Sequence, residues 1–546
     1  MHVRSLRFCG ARVNTMGDTI MEKLIAFKSS KEKSSLYAKA EAVVLFLCRE
    51  CVDHIRSLSL PEEIFELIAW QAEKQGYGFT ETGSVTSLLV KDENGYQRVI
   101  LAGIGAGKEC TPGHFRFAAG NAVRELRKNK IKDVVVAAPI LTNPKRGHYL
   151  KAVAEGLLLG SYEFNKYKTG GDTKTEISGG NDNNEKTNKI NSATSRNETE
   201  TTNNAEKISV TIFSEVANAE EIVAEAEKIC AAICHARDLA NEPGNVMYPE
   251  ALAQEAVKTA KKFALEAEVL PVKEMQKLGM NAILAVGSGS VREPKMIALK
   301  YAHGGDKPFI AFVGKGITFD SGGVSIKPSD GMGEMKDDMT GAAAVLGAME
   351  AIAALQLNVN VIGILSCAEN MPSGSAQRPG DIVRAASGKT IEVVNTDAEG
   401  RMVLADAVWY ACRKGAAKVI DIATLTGAVI IALGEHTSGI VSNDDELAAE
   451  IQKAGHRAGE EWWRLPIVEE AEELIRSSCA DVKNSAGRPA GTITGGVFIG
   501  SFVDKGIPWA HLDIGGTSTA KKTEGHIPEG CTAFGTATLI ELARTF

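Results

Sequence analysis

A two-domain α/β protein is the architecture this sequence predicts: a smaller N-terminal α/β domain and a larger C-terminal α/β domain with a mostly parallel central sheet. Three observations predict it. The chain has 546 residues, enough for more than one domain. Short apolar runs alternate with longer amphipathic ones in both halves. A polar tract and a long helical stretch interrupt that alternation.

The elements follow in order. Residues 1–35 read as a leader that need not be native. "MHVRSLRFCGARVNT" has arginines but no apolar h-region, and Met16 and Met21 are alternative starts. Residues 36–215 read as the N-terminal domain. In it "AEAVVLFLC" and "KDVVVAAPIL" suit strands, and "HFRFAAGNAVRELRKN" and "YLKAVAEGLLLGSYEFNKY" suit helices. Residues 168–207 are Asn, Thr, Lys, Glu and Gly with almost no apolar side chain, so we expect a disordered insertion. "ISVTIFSE" then reads as a strand returning to the first sheet. Residues 216–249 read as a helical connector that stops at Asn241, Pro243 and Gly244. Residues 250–546 form the larger domain. "PFIAFVG", "VNVIGILSCAEN" and "AKVIDIATLTG" suit buried strands, and "TGAAAVLGAMEAIAAL" and "RMVLADAVWYACRKG" the helices between them. Ligands of such sheets bind beyond the carboxyl ends of the strands. "VVNTDAEGR" and "FVGKGITFDSGG" both fall at strand exits.

Composition removes some function classes. With 44% hydrophobic and 24% charged residues the chain is globular, and its net charge of −8 argues against general affinity for nucleic acid. No apolar run approaches membrane-spanning length. Cys48 and Cys51 make a C-x-x-C with no second pair at zinc-finger spacing, and Cys230 and Cys234 sit one helical turn apart beside His235. We read these as small buried apolar residues, and cysteines without a disulfide framework as suited to a reducing cytoplasm.

The chemistry concentrates in two segments. In "NTDAEGR", Asp397, Glu399 and Arg401 alternate with small residues. In extended backbone they would share one side, where two close carboxylates repel unless a cation separates them. A solvated turn is the plain alternative for this stretch taken alone. "VGKGITFDSGGVSIKPSDGMGEMKDDMTGAA" adds Lys315, Asp320, Lys327, Asp337 and Asp338 among many glycines. It is not a phosphate loop, because Phe309 stands where Walker A needs glycine, and "GIGAGKEC" fails likewise at Ala102. H-E-x-x-H and G-x-S-x-G are both absent. What remains is a carboxylate-rich set, Asp320, Asp338, Asp397 and Glu399, with lysines and an arginine. Such oxygen donors suit a pair of divalent cations. A lysine can join them only as a neutral amine, which nearby dications would favour.

"NTDAEGR" and "VGKGITFDSGGVSIK", with Asp338 of "MKDDMTGAA" between them, resemble the signature segments of the leucyl (cytosol) aminopeptidase family. "ATLTGA" at 423–428 and "WAHLDIGG" at 509–516 extend the likeness. The resemblance implies a metal-dependent aminopeptidase with two divalent ions per subunit, manganese or zinc, with magnesium or cobalt as other occupants. It implies peptide substrates with Leu-like first residues and six identical subunits in the cytoplasm. By residue, it implies that Lys315, Asp320, Asp338 and Glu399 hold one ion and Asp320, Asp397 and Glu399 the other. Lys327 would act as the electrophilic amine, and Arg401 would bind a bicarbonate that serves as general base. Met335, Asn395, Thr424, Leu425 and Gly427 would face substrate. Asp337 loses to Asp338 on spacing, and His511 reads as a core histidine rather than a ligand. Two departures stand out, the polar tract and "DIGGTSTAKKTEGH", where relatives often carry bulkier side chains. Some bacterial relatives also bind DNA, so an architectural DNA-binding role is the alternative. The acidic charge and the small basic patch "KNKIKD" at 128–133 weigh against it.

Overall fold

Runs of β-branched and apolar residues make the strands of the first domain, and near-complete burial of "AVVLFL" shows that both faces of its sheet are covered. The computed structural model describes residues 25–30, 40–50, 52, 62–92, 95–107, 110–137, 146–168, 208–214 and 216–546. Residues 1–24 and 31–35 of the leader and 169–207 of the polar tract lie outside these residues, as does Cys51. The six strands are β1 (Ile25–Ser30), β2 (Ala42–Leu47), β3 (Val85–Asp92), β4 (Gly95–Gly103), β5 (Asp133–Ala137) and β6 (Ile208–Phe213). Their order is β1-β6-β5-β2-β4-β3, parallel except for the β3–β4 hairpin. β6 follows the polar tract and pairs with β5 and β1, so the chain returns to this sheet.

Two helices, Pro112–Lys128 and Arg146–Gly160, pack on each other through glycine. A Cβ at Gly160 would lie 2.5 Å from Cα of Gly120. Gly120 itself abuts the second domain, where an added Cβ would meet the carbonyl of Gly525 at 2.3 Å. The connector is one helix, Ala219–Asn241. Cys230 and Cys234 are buried in it, and His235 pairs with Glu350 at 2.6 Å. Cys48 is buried as expected but is disulfide-bonded, which corrects the reading of every cysteine as a thiol.

The larger domain takes its strands in chain order. They are β7 (Glu266–Leu270), β8 (Lys295–Ala302), β9 (Phe309–Asp320), β10 (Asn360–Asn370), β11 (Ile382–Arg384), β12 (Thr390–Glu392), β13 (Ala416–Ala423), β14 (Thr437–Ser442), β15 (Glu461–Arg464), β16 (Val482–Lys483) and β17 (Trp509–Asp513). The main sheet runs β15-β14-β17-β13-β9-β10-β8-β7, and β11-β12-β16 form a small sheet beside it. Its central strands β17, β13, β9 and β10 are mutually parallel, so their carboxyl ends open on one side. The helix Thr340–Ala354 is almost wholly buried over β9. Its small residues allow that approach: a Cβ at Gly314 would lie 2.5 Å from Cα of Ala342, and one at Gly341 would lie 2.2 Å from the carbonyl oxygen of Ile422. Among the described residues no helix is long and apolar enough to cross a membrane.

Candidate metal centre

β9 supplies two charged side chains to the open end of the sheet. Lys315 lies within the strand and Asp320 at its end, both buried. Asn370 ends β10 directly beside Asp320 and donates to its Oδ1 at 2.8 Å; the backbone N–H of Gly322 donates to the same atom at 2.9 Å. Asp338 stands between the 3-10 turn Met332–Asp337 and the helix Thr340–Ala354. Glu399 opens the helix Glu399–Arg413, and Asp397 lies in the turn before it.

The extended geometry expected for 397–401 is therefore not what forms. The segment turns at Thr396–Asp397 and becomes helical at Glu399, so Arg401 leaves the direction of the two acids. Asp397 and Glu399 still meet, because Asp320 comes from another strand to join them. Ligand atoms of Asp320, Asp397 and Glu399 all lie within 4.8 Å of one another. A buried asparagine holds the turn. Asn484 accepts from the N–H groups of Val394 and Asn395 at 2.9 and 3.2 Å and donates to the carbonyl of Asn395 at 2.7 Å. Asn395 in turn accepts from the N–H of Asp397 at 3.0 Å. Thr396 ties the turn to the glycine loop after β9, donating to the carbonyl of Gly322 at 2.6 Å.

The two lysines divide the acids between them. Lys315 Nζ lies 2.8 Å from Asp338, 2.9 Å from Glu399 and 2.9 Å from the carbonyl of Thr424. Lys327 Nζ lies 2.8 Å from Asp320 and 2.5 Å from Asp397. Burial works against charge on both ammonium groups. The surrounding acids outweigh it and hold both pKa values above the ordinary lysine range. Burial pushes Asp320 up to about 6, with Glu399 adding repulsion, and raises Asp338 and Asp397 as well. Glu399 goes the other way: Lys315 and Lys327 overcome the effect of burial and lower it. Four crowded carboxylates thus compete for two ammonium groups.

Arg401 is buried, its pKa lowered by desolvation, and its Nε has no hydrogen-bond partner. Gly495 lets the guanidinium pass, since a Cβ there would lie 3.3 Å from Nη2. Thr424 donates to Asp338 at 2.6 Å. The N–H of Leu425 donates to Asp513 at 3.2 Å. Met335 is half-buried on its turn and Gly427 is exposed at the start of the helix Gly427–Leu433; neither bonds to the acids. Asp337 does not reach Lys315, whereas Asp338 does. His511 is fully buried and paired with Asp421 at 2.5 Å, as a core histidine should be. Asn370, Thr396, Asn484 and Asp513 support the site yet carry no signal in the sequence, because each acts on a segment far from it in the chain.

Comparison with known proteins gives a consistent result. The catalytic-domain model of the cytosol aminopeptidase family matches residues 234–540, and that family's N-terminal domain model matches 63–171. A probable cytosol aminopeptidase of Geotalea uraniireducens is 43% identical over 82% of this chain and 85% of its own length. One from Alkaliphilus oremlandii is 40% identical over 93% of this chain and 97% of its own. Among solved structures, the bottromycin maturation enzyme BotP in complex with Mn is similar with a TM-score of 0.78 at 32% identity, covering 93% of this chain and 99% of its own. A mutant tomato leucine aminopeptidase is similar with a TM-score of 0.78 at 29% identity, covering 96% of each chain.

Proposed function

The chain belongs to the cytosol aminopeptidase family and is an aminopeptidase, and from that premise we propose a two-metal exopeptidase that releases Leu-like N-terminal residues from peptides. The observation that carries the reading is the convergence of Asp320, Asp397 and Glu399 within 4.8 Å. These donors fit a hard divalent ion: all are carboxylate oxygens, and their negative charge exceeds what two lysines offset. Asp320, Asp397 and Glu399 would hold one ion. Lys315, Asp338, Asp320 and Glu399 would hold the other, with Lys315 giving up its proton. The similarity to BotP in complex with Mn supports manganese; zinc, magnesium and cobalt suit the same oxygens. When bound, the pair supplies Lewis-acid polarisation and an acidified water.

The chain's own groups do the rest. Lys327 is partly exposed, and as an ammonium it would donate to an oxyanion developing at the scissile carbonyl. Arg401, with its buried unpartnered Nε, fits a small anion such as bicarbonate, which would supply a general base. The substrate's free α-amine would have a Lewis-acid partner in a bound ion, which would select a peptide's first residue. The resemblance would put Met335, Asn395, Thr424, Leu425 and Gly427 around the substrate's first residue. A homohexamer is part of the proposal, as the family resemblance implies. A cytoplasmic site of action rests on the naming of the relatives.

Replacing Asp320 or Glu399 with alanine tests the centre. Both variants should lose bound metal and amino-acid release, measured by elemental analysis and by assay on a peptide library. Full activity in either would overturn the two-metal assignment.

A further inference from the structure

A cavity of about 610 Å³ lies between the two domains, and none of the metal-centre residues lines it. Its size is that of a small-molecule site. The floor is apolar: Leu159, Ile229, Ile233, Phe534, Ala537 and Ile540. One wall is cationic. Arg237 is fully buried and no carboxylate pairs with it. Its Nε, Nη1 and Nη2 donate instead to the carbonyls of Thr532, Leu159 and His526 at 3.1, 3.3 and 3.2 Å. A guanidinium has five N–H donors, so each terminal nitrogen keeps one N–H without a partner. Arg116 spends Nε and Nη2 on Glu155 at 2.8 and 2.6 Å, which leaves Nη1 free. His526 adds a buried Nδ1 with no hydrogen-bond partner, which donates to an anion in the Nδ1–H tautomer. Burial and the field of Arg116, Arg237 and Arg124 hold its imidazole neutral, which marks this corner as electropositive.

The acids of the cavity are already engaged. Glu155 serves Arg116. Glu460 accepts from the N–H groups of Gly535 and Thr538 at 2.9 Å each. Glu541 faces Lys151 and Arg457, Glu435 faces Lys521, and Glu524 faces Lys522. Unmet guanidinium donors therefore stand beside an apolar floor, while each acid lining the cavity already faces a cation or N–H donors.

We propose that this interdomain cavity binds a small apolar monocarboxylate lacking an α-amine, its carboxylate on Arg237, Arg116 and His526 and its tail on Ile229, Ile233 and Phe534. The site is separate from the metal centre and from the peptide it acts on. Because the wall spans the first domain, the connector and residues 526–534, occupancy should tighten the two domains against each other.

Titration calorimetry and thermal unfolding of the full chain with 4-methylpentanoate test the proposal. The wild type should bind one equivalent saturably, with a rise in Tm. His526→Leu should bind at least about tenfold more weakly, as loss of a hydrogen bond to a charged group does. Ala537→Phe, which fills the floor and removes no charge, should abolish binding. Both variants should keep wild-type peptidase activity without ligand. L-leucine, 4-methylpentan-1-ol and inorganic phosphate should each bind at least about tenfold more weakly than 4-methylpentanoate. The proposal is overturned by absence of saturable binding to the wild type. Unchanged affinity in both variants, or equal binding of the amino acid, the alcohol or phosphate, overturns it as well.

Discussion

Lys315 and Lys327 are chemically alike, yet the structure gives them different surroundings. Lys315 is enclosed by Asp338, Glu399 and the carbonyl of Thr424, while Lys327 is partly open to solvent. The enclosed lysine suits a ligand and the open one suits a donor to substrate. Lys327→Ala should therefore lower kcat about 100- to 1,000-fold, about 2.7–4 kcal/mol, with metal content little changed. Lys315→Ala should weaken one metal site and recover in part when metal is raised. Metal stoichiometry and kcat for both variants decide the matter; loss of metal in the Lys327 variant, with kcat restored on resupply, would exchange the roles. Asp513 offers a second residue-scale test. It is buried and accepts from Leu425, Thr426 and Gly515, fixing the loop whose Thr424 bonds Asp338. Asp513→Asn should raise KM and lower kcat together while the metal stays bound. An unchanged KM would show that the loop holds its shape without this carboxylate. At this scale the sequence was readable where acids cluster locally: Asp397 with Glu399, and Asp338 near Lys327. It was silent on Asn370, Asn484 and Asp513, whose partners lie 50, 89 and 88 positions away.

The strand and helix pattern was legible because β9, β10 and β13 are continuous apolar runs, buried on both faces. The backbone of 397–401 was not. Alternating charge suggested extension, but a helix begins at Glu399 and the acids meet through a turn pinned by Asn484. Tertiary hydrogen bonds outside that segment decided its shape. Close packing of the helix Thr340–Ala354 on β9 gives an element-scale test. Gly314→Ala puts a methyl group 2.5 Å from Ala342 Cα, where backbone must move. The cost should be about 1–3 kcal/mol, read as a lower midpoint in denaturant. Because Lys315 is the next residue, metal affinity should fall with it. Wild-type stability would mean that the helix shifts freely.

Across the whole molecule, two sheets of six and eight strands meet along the connector helix Ala219–Asn241 and the glycine contact of Gly120 with Gly525. The polar tract falls between Lys168 and Ile208 in the sequence, and its composition provides little to bury. Exchanging residues 169–207 for a short Gly/Ser loop should preserve activity and subunit association, because loop closure depends weakly on length. Loss of solubility or of oligomer mass by light scattering would show that the tract makes contacts. Removing divalent metal with a chelator should silence the enzyme without unfolding it, and added manganese should restore activity; irreversible loss would tie the ions to folding.

Lys315 and Asp320 project from β9, which is flanked on both sides by hydrogen-bonded strands in the middle of the larger sheet. Amide protons along such a strand exchange with deuterated water only when the sheet itself opens. Local breathing then has no route to spread these two side chains apart. Heating should hold the centre intact up to the unfolding transition and lose it in the same cooperative step, so residual activity and deuterium uptake at 311–320 should follow a single curve.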